Sequence, residues 1–465
     1  MAGECQPKGL GLPLDEMHRR HFLASLGAAA VPANLMRAQL PPKVDFSLHI
    51  APMSFEIAPR KMVKTIAYNG SVPGPLLRTK EGQPVTIDVF NDTGDAEIVH
   101  WHGLQIPSAV DGAMEEGTPM IPAHGSARYT FTPKPSGTRW YHTHIMAGRN
   151  LKRATYTGQF GFFYIDPRTE PGNYDQEVFL ALKEWEPYMS SGGEGGDDSL
   201  DVAYNTFSIN DRALGHGVPI RVKAGQRVLL RILNASATIT RRIAVAGHKF
   251  RVVAMDGNPV ATPKDVQALE LGPAERIDAI VEMNQPGVWI LGATDDHDRE
   301  HGLGIVIEYS GQSGEPRWLP PGDEKWDYTA FGNSGKPDSP ADAPERVPLV
   351  FEKKFAGHHW VDKWTINGKS FPKTDPISVK ANGRYRLVFD NRSNEAHPVH
   401  LHRHTFELAK IAGIATSGVY KDVVVVAAMS QTEVNLIANN PGSTLFHCHQ
   451  QMHMDYGFMT LMEYV

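Results

Sequence analysis

Three stretches of this chain carry the same strand, and the residues downstream of each one limit the folds open to the chain. Gly82 to Asn91, Gly225 to Asn234 and Gly383 to Asn391 each start at a glycine, run through apolar and β-branched residues, and end at an asparagine. Nine residues beyond each Asn lie His100, Ile243 and His400, and eleven beyond lie His102, Val245 and His402. An alignment on a turn glycine agrees. Five and seven residues after Gly137 come His142 and His144, after Gly442 come His447 and His449, and after Gly287 come Gly292 and Thr294. The pattern predicts three copies of one β-sandwich, the outer two facing each other across a shared histidine-lined site and the middle one a spacer. The copies are expected at 43–166, 174–310 and 345–465, after an N-terminal extension over 1–42. Between the last two, Ser310 to Glu345 is rich in Pro, Gly, Asp and Ser and reads as a linker.

Composition supports an all-β chain. The sequence holds 43 Gly and 34 Pro, and runs such as Pro84 to Phe90, Arg227 to Leu233 and Arg384 to Phe389 read as short strands between turns. A formal net charge of -6 with no basic stripe excludes a nucleic-acid partner. No apolar run reaches the roughly 20 residues that a membrane-spanning helix needs.

The densest cluster is His447-Cys448-His449-Gln450-Gln451-Met452-His453, and its cysteine is one of only two in the chain. A thiolate with imidazoles suits zinc or copper, and two His with one Cys and a weak axial group suit blue copper. His453 is close enough to share a metal with Cys448. In a strand, His447 and His449 point to the face opposite Cys448, so the tripeptide is expected to serve two sites, one on each side. Three further clusters contain His-x-His steps that put two imidazoles on one face: His100-Trp101-His102-Gly103, Tyr141-His142-Thr143-His144, and His397-Pro398-Val399-His400-Leu401-His402-Arg403-His404.

In this order and at these separations, the four clusters resemble the four copper signatures of the multicopper oxidases, the family that includes laccases. The resemblance spans nearly all of the chain beyond the extension. It implies three cupredoxin-like Greek-key β-sandwich domains and four copper ions: one of type 1, one of type 2 and a type 3 pair. By it, His397, Cys448 and His453 hold the type 1 ion, and His100 and His400 the type 2 ion. His102, His142 and His449 hold one type 3 ion, and His144, His402 and His447 the other. A small-molecule reducing substrate, phenolic or similar, docks near the exposed edge of His453. Its electron passes through Cys448 to His447 and His449, and dioxygen is reduced to water. Asp111 matches an acid that serves the proton supply, whereas the positions where relatives carry a second acid hold Gln451 and Met454, with Asp455 the nearest substitute. The axial position falls at Phe458, with Met459 next, which implies a three-coordinate, high-potential type 1 centre.

Ten of the 21 histidines are thereby used. His404 is expected to hydrogen-bond behind the ligands, and His297, His301, His358 and His359 to lie solvated in loops. Arg19-Arg20 before the weakly apolar Ala24 to Leu35 resembles a twin-arginine export signal, which implies a periplasmic or secreted protein that loses Cys5 on maturation. A monomer is the expected state. Two rival readings are an oxidase of cuprous or ferrous ions, against which the 16 methionines are scattered, and a non-catalytic exported protein of the same fold, against which all ten histidine positions are intact.

Overall fold

Each copy of the repeat builds two packed β-sheets, and in the second sheet of every copy the strands run in one order. In the first copy it is Gly74–Lys80, Phe160–Asp166, Gly137–Thr143, Val99–His102. In the middle copy it is Ile220–Val222, Gly304–Tyr309, Val288–Ala293, Arg241–Val245, and in the third Ile377–Val379, Met459–Tyr464, Thr444–Cys448, His397–Leu401, each extended by a fifth strand, Ala268–Leu271 and Val423–Val426. The first pair of each sheet is parallel and the next two pairs are antiparallel, which makes three cupredoxin-like Greek-key sandwiches. The computed structural model describes residues 43–168, 173–191, 200–334, 344–356 and 360–465, and Lys43–Val465 is one compact unit. The twin arginines, Cys5, His358 and His359 lie outside the described residues.

The asparagine that ends each repeated strand has a structural reason. Asn91, Asn234 and Asn391 are buried, and each side-chain amide donates to loop carbonyls: Asp95, Ile121 and Pro122; Ile239 and Leu271; Glu395, Val426 and Ala427. Each side-chain oxygen accepts from the backbone N–H two residues on, at Thr93, Ser236 and Ser393. The Asx turn staples the strand end to the loop that leads into the histidine strand. The repeated Asn therefore sets where His100 and His400 emerge.

Ladder register then opposes the clusters in pairs. His100 faces His142 across one strand pair, and His400 faces His447 across another. In the middle copy Ile243 faces Ala293, one residue beyond the Gly292 that the turn-glycine alignment placed there. Gly137 and Gly442 turn at φ 110° and 118°, whereas Gly287 does not enter the positive-φ region, so its turn is built differently and the register shifts by a residue.

Two other expectations are corrected. The linker is not loose throughout: Tyr328 and Phe331 are buried, the Tyr328 hydroxyl donates to Glu275 at 2.7 Å, and Asn333–Ser334 pairs with Ile414–Ser417 of the third sandwich. Nor do His297 and His301 lie in a loop. His297 sits in the helix Asp296–Glu300 and His301 caps its C-terminal end.

Candidate metal centre

Strand parity does what the sequence predicted at Cys448. Its Sγ lies 3.7 Å from His397 Nδ1 and 3.6 Å from His453 Nδ1, and those two nitrogens are 3.1 Å apart. On the opposite face, His447 Nε2 lies 3.4 Å from His144 Nε2 and 3.1 Å from His402 Nε2. A third set brings the donor atoms of His102, His142 and His449 within 4.8 Å of one another, with His102 Nδ1 3.4 Å from His142 Nε2. His100 and His400 stand beside them, with the His102 and His400 rings stacked at 3.8 Å. All ten histidines and Cys448 are buried.

For five of the cluster histidines one ring nitrogen is committed to a neighbouring oxygen, which leaves the other free to face a metal. Nδ1 of His100, His142, His400 and His447 lies 2.7–2.9 Å from the carbonyl oxygens of Asp111, Thr143, Asp422 and Cys448. Each Nδ1–H donates to its carbonyl and leaves the Nε2 lone pair pointing inward. His102 is reversed: its Nε2 lies 3.1 Å from Asp422 Oδ1, so Nδ1 faces the cluster. Nε2 of His100, Nε2 of His400 and both ring nitrogens of His449 are buried without a hydrogen-bond partner among the described residues. Buried nitrogens left unpaired are costly, and a convergent set of them is what a bound cation satisfies. Burial, reinforced by neighbouring imidazoles, pushes His102, His142, His144, His400, His402, His447 and His449 well below the usual histidine range and keeps them as neutral donors. The residues present therefore fit copper in number and donor type.

Models of three domain families, each described as multicopper oxidase, match residues 50–170, 180–311 and 342–465. The chain belongs to the multicopper oxidase family. It is 32% identical over 446 residues to the multicopper oxidase MmcO of Mycobacterium tuberculosis, covering 87% of this chain and 84% of that protein. A solved multicopper oxidase from Pseudomonas thermotolerans superposes with a TM-score of 0.71 at 25% identity, covering 91% of this chain and 100% of that one. A laccase from Botrytis aclada shares the fold, with a TM-score of 0.75 at 18% identity over 90% of this chain and 87% of that one. As a multicopper oxidase it is a copper-dependent oxidoreductase that uses dioxygen, with one type 1, one type 2 and a pair of type 3 copper ions as cofactors.

The acids around this multicopper oxidase's cluster were only partly foreseen. Asp111 is fully buried, with Oδ2 2.9 Å from His402 Nδ1 and 3.2 Å from His100 Nδ1. It is held there by Gly112 at φ 100°, where a Cβ would collide with the Val99 carbonyl, so only glycine lets the chain double back. Glu116, which no motif singled out, is also buried, 3.3 Å from His402 Nδ1, and accepts from Leu445 N at 2.6 Å. Burial and then the neighbouring Asp111 push its carboxyl well above the usual range. A second acid at the cluster thus comes from the first sandwich. Asp455 stands one residue further back. It accepts from Ala147 N and Gly148 N at 2.9 and 2.7 Å and from Gln451 Nε2 at 2.8 Å, and Gln451 in turn lines the small cavity beside His142, His144, His447 and His449. Burial pushes Asp455 up to about 7.

The middle sandwich is more than a spacer. Its Arg276 grips Asp422 of the third sandwich at 2.7 and 2.6 Å, and Asp422 is the residue that orients His102 of the first.

Beside His397, Cys448 and His453, Phe458 is fully buried with its ring 4.8 Å from that of His397, while Met459 packs away with Ala113, Leu445 and Met454. The expected exposed edge of His453 is not found. Only 4% of the residue is exposed, because Trp364 lies 4.2 Å from its ring and its Nε2 meets Glu395 Oε2 at 3.1 Å. Nε2 of His397 pairs with Ser393 Oγ at 2.8 Å. His404 meets the carbonyl of His402 at 3.1 Å and Tyr464 Oη at 2.8 Å, a supporting place as expected.

Proposed function

We propose that this chain is a laccase-like oxidase that takes single electrons from phenolic or similar small donors at the type 1 set and reduces dioxygen to water at the histidine cluster. His397, Cys448 and His453 would hold the type 1 copper and His100 and His400 the type 2 copper. His102, His142 and His449 would hold one type 3 ion, and His144, His402 and His447 the other. Copper, when bound, supplies the one-electron redox steps and the accumulation of four electrons that the dioxygen half-reaction needs. The protein's part is geometric: the backbone of His447-Cys448-His449 joins the two sets through one short covalent path.

The observation that carries the donor assignment is the shell over His453. Trp364 offers an aromatic face against its ring, and Glu395 accepts from its Nε2. Glu395, buried with its oxygens on His453 Nε2 and Lys353 Nζ, fixes the orientation of His453 beneath the donor. Lys353, 2.8 Å from Glu395 and 3.2 Å from Asp362, already neutralises the acids there. Asp111 and Glu116 hold the proton on His402 Nδ1 and line the acid side of the cluster.

The second reading is oxidation of cuprous or ferrous ions, with the two carboxylates beside His453, Glu395 and Asp362, sharing the one cation Lys353. Relatives carry both kinds of name, laccase and copper resistance protein among them. Turnover on a dimethoxyphenol compared with Cu(I) and Fe(II) separates the readings, in the parent and in Glu395→Gln. Faster turnover on the phenol, lowered by the substitution, supports the first reading. Faster turnover on the metal ions overturns it. The twin-arginine pattern supports export to the periplasm or beyond as part of the same proposal.

A further inference from the structure

His297 and His301 are four residues apart on one face of the short helix Asp296–Glu300 and its C-cap, on the middle sandwich, and take no part in the copper centres described above. Both are exposed, and their rings stack with centroids 4.1 Å apart and 27° between planes. His301 Nδ1 lies 2.8 Å from the carbonyl oxygen of His297, so its Nδ1–H donates inward and its Nε2 lone pair is left to solvent. The helix is short but fixed. Asp295 caps it by accepting from Asp298 N at 3.0 Å, Asp298 is paired with the buried Arg241, and Arg299 donates to the Ala293 carbonyl at 3.0 Å while lying over the Trp318 ring at 4.2 Å.

We propose that His297 and His301 form a solvent-facing site for a late divalent transition-metal ion, with copper(II) preferred. Two imidazoles at this spacing on a helix face are a chelating pair, needing only small rotations of the exposed rings to bring both nitrogens to the ~2.0–2.1 Å of a metal–imidazole bond. The fixed Nδ1–H of His301 is the outer contact that orients a ligating imidazole and raises its basicity. The segment is also acidic: Asp298 is paired with Arg241 and Asp296 with Arg299, while Asp295 and Glu300 add negative charge that draws cations to it. Glu300 and His216 line the same surface cleft as His301, with Lys61 and Arg299 at its walls, so the coordination positions beyond the two imidazoles fall to water. Among divalent ions, imidazole donors favour copper over zinc and give magnesium little.

The test uses the copper-replete enzyme, desalted after treatment with a chelator to strip loosely held metal, and titrated with Cu(II) while the electron paramagnetic resonance spectrum is recorded. The wild type is expected to take one further equivalent whose signal shows nitrogen coupling, displaced only by a large excess of Zn(II) and not by the same excess of Mg(II). His297→Gln combined with His301→Gln is expected to weaken that binding by at least the ~10-fold that loss of even an outer contact costs a metal site, with blue absorption and donor oxidation unchanged. No additional equivalent in the wild type, unchanged affinity in the double variant, or displacement by Mg(II) each overturns the proposal.

Discussion

Asp422 Oδ1 lies 3.1 Å from Nε2 of His102, a contact between side chains 320 residues apart in the chain. The carboxylate comes from the sandwich opposite His102, and it is clamped in turn by Arg276 from the middle one. All three sandwiches therefore converge on the orientation of one ring.

Asp422→Asn keeps the shape and removes the charge that makes His102 a stronger donor. Copper affinity at the cluster is expected to fall by roughly 10–100-fold, read as copper retained against a graded chelator, with the blue type 1 absorption intact. Arg276→Met instead removes the two-pronged grip on buried Asp422 and leaves it only Arg139 at 3.4 Å, and should cost up to about 3–5 kcal/mol in unfolding free energy. Equal copper retention in Asp422→Asn and the parent would show that the contact does not act on His102.

Asp111 and Glu116 converge on one nitrogen, His402 Nδ1. Asp111→Asn should lower turnover at saturating donor by about 10²-fold or more, the usual size of a lost proton-transfer group. Anaerobic bleaching of the blue band by the donor should stay as fast as in the parent. If steady-state turnover is unchanged, Asp111 has no part in the proton supply.

The Phe458 ring packs 4.8 Å from that of His397, and under the proposed assignment it would stand where a thioether could otherwise reach a type 1 copper. Phe458→Met should lower the potential of that centre, because a weak axial sulfur stabilises the oxidised ion. Redox titration at the blue band of parent and variant measures this directly. A potential that stays the same or rises would mean that Phe458 does not stand in the axial position.

Asp256 is buried between Lys421 and Arg276 at the contact of the middle and third sandwiches, 3.0 Å from Lys421 Nζ. Burial alone would raise its pKa, but Lys421 and then Arg276 pull it below the usual carboxylate value. A depressed folded-state pKa contributes stability that is full above the unfolded value of about 3.9 and is lost as pH falls below it. The melting temperature of the parent should thus exceed that of Asp256→Asn at neutral pH, and the gap should close as pH is lowered below about 4. A gap independent of pH would contradict this role.

Periodicity made part of this legible in the sequence. Cys448 and its flanking histidines obey the two-residue alternation of a strand, and His-x-His steps obey it too, so the division into two centres could be read from spacing. The repeated Asn marked the strand ends because an Asx turn is local. Asp422, Arg276 and Glu116 obey no period. Their partners lie in other sandwiches, and only the fold brings them together. Glu395, two residues before His397, is a nearer case: an acid beside a ligand strand was visible, but not that it and Trp364 would cover His453.

The central claim is that Cys448 belongs to one copper site and, through its neighbours, joins it to a second. Copper content and absorption spectra of the parent and Cys448→Ser, both desalted against a chelator, test this most directly. The parent should hold four copper ions per chain and show an intense blue band. The variant should hold three, lack the blue band, keep the near-ultraviolet absorption of the coupled pair, and fail to oxidise donors. A colourless parent with a full copper complement, or a Cys448→Ser variant that remains blue and active, would contradict the account.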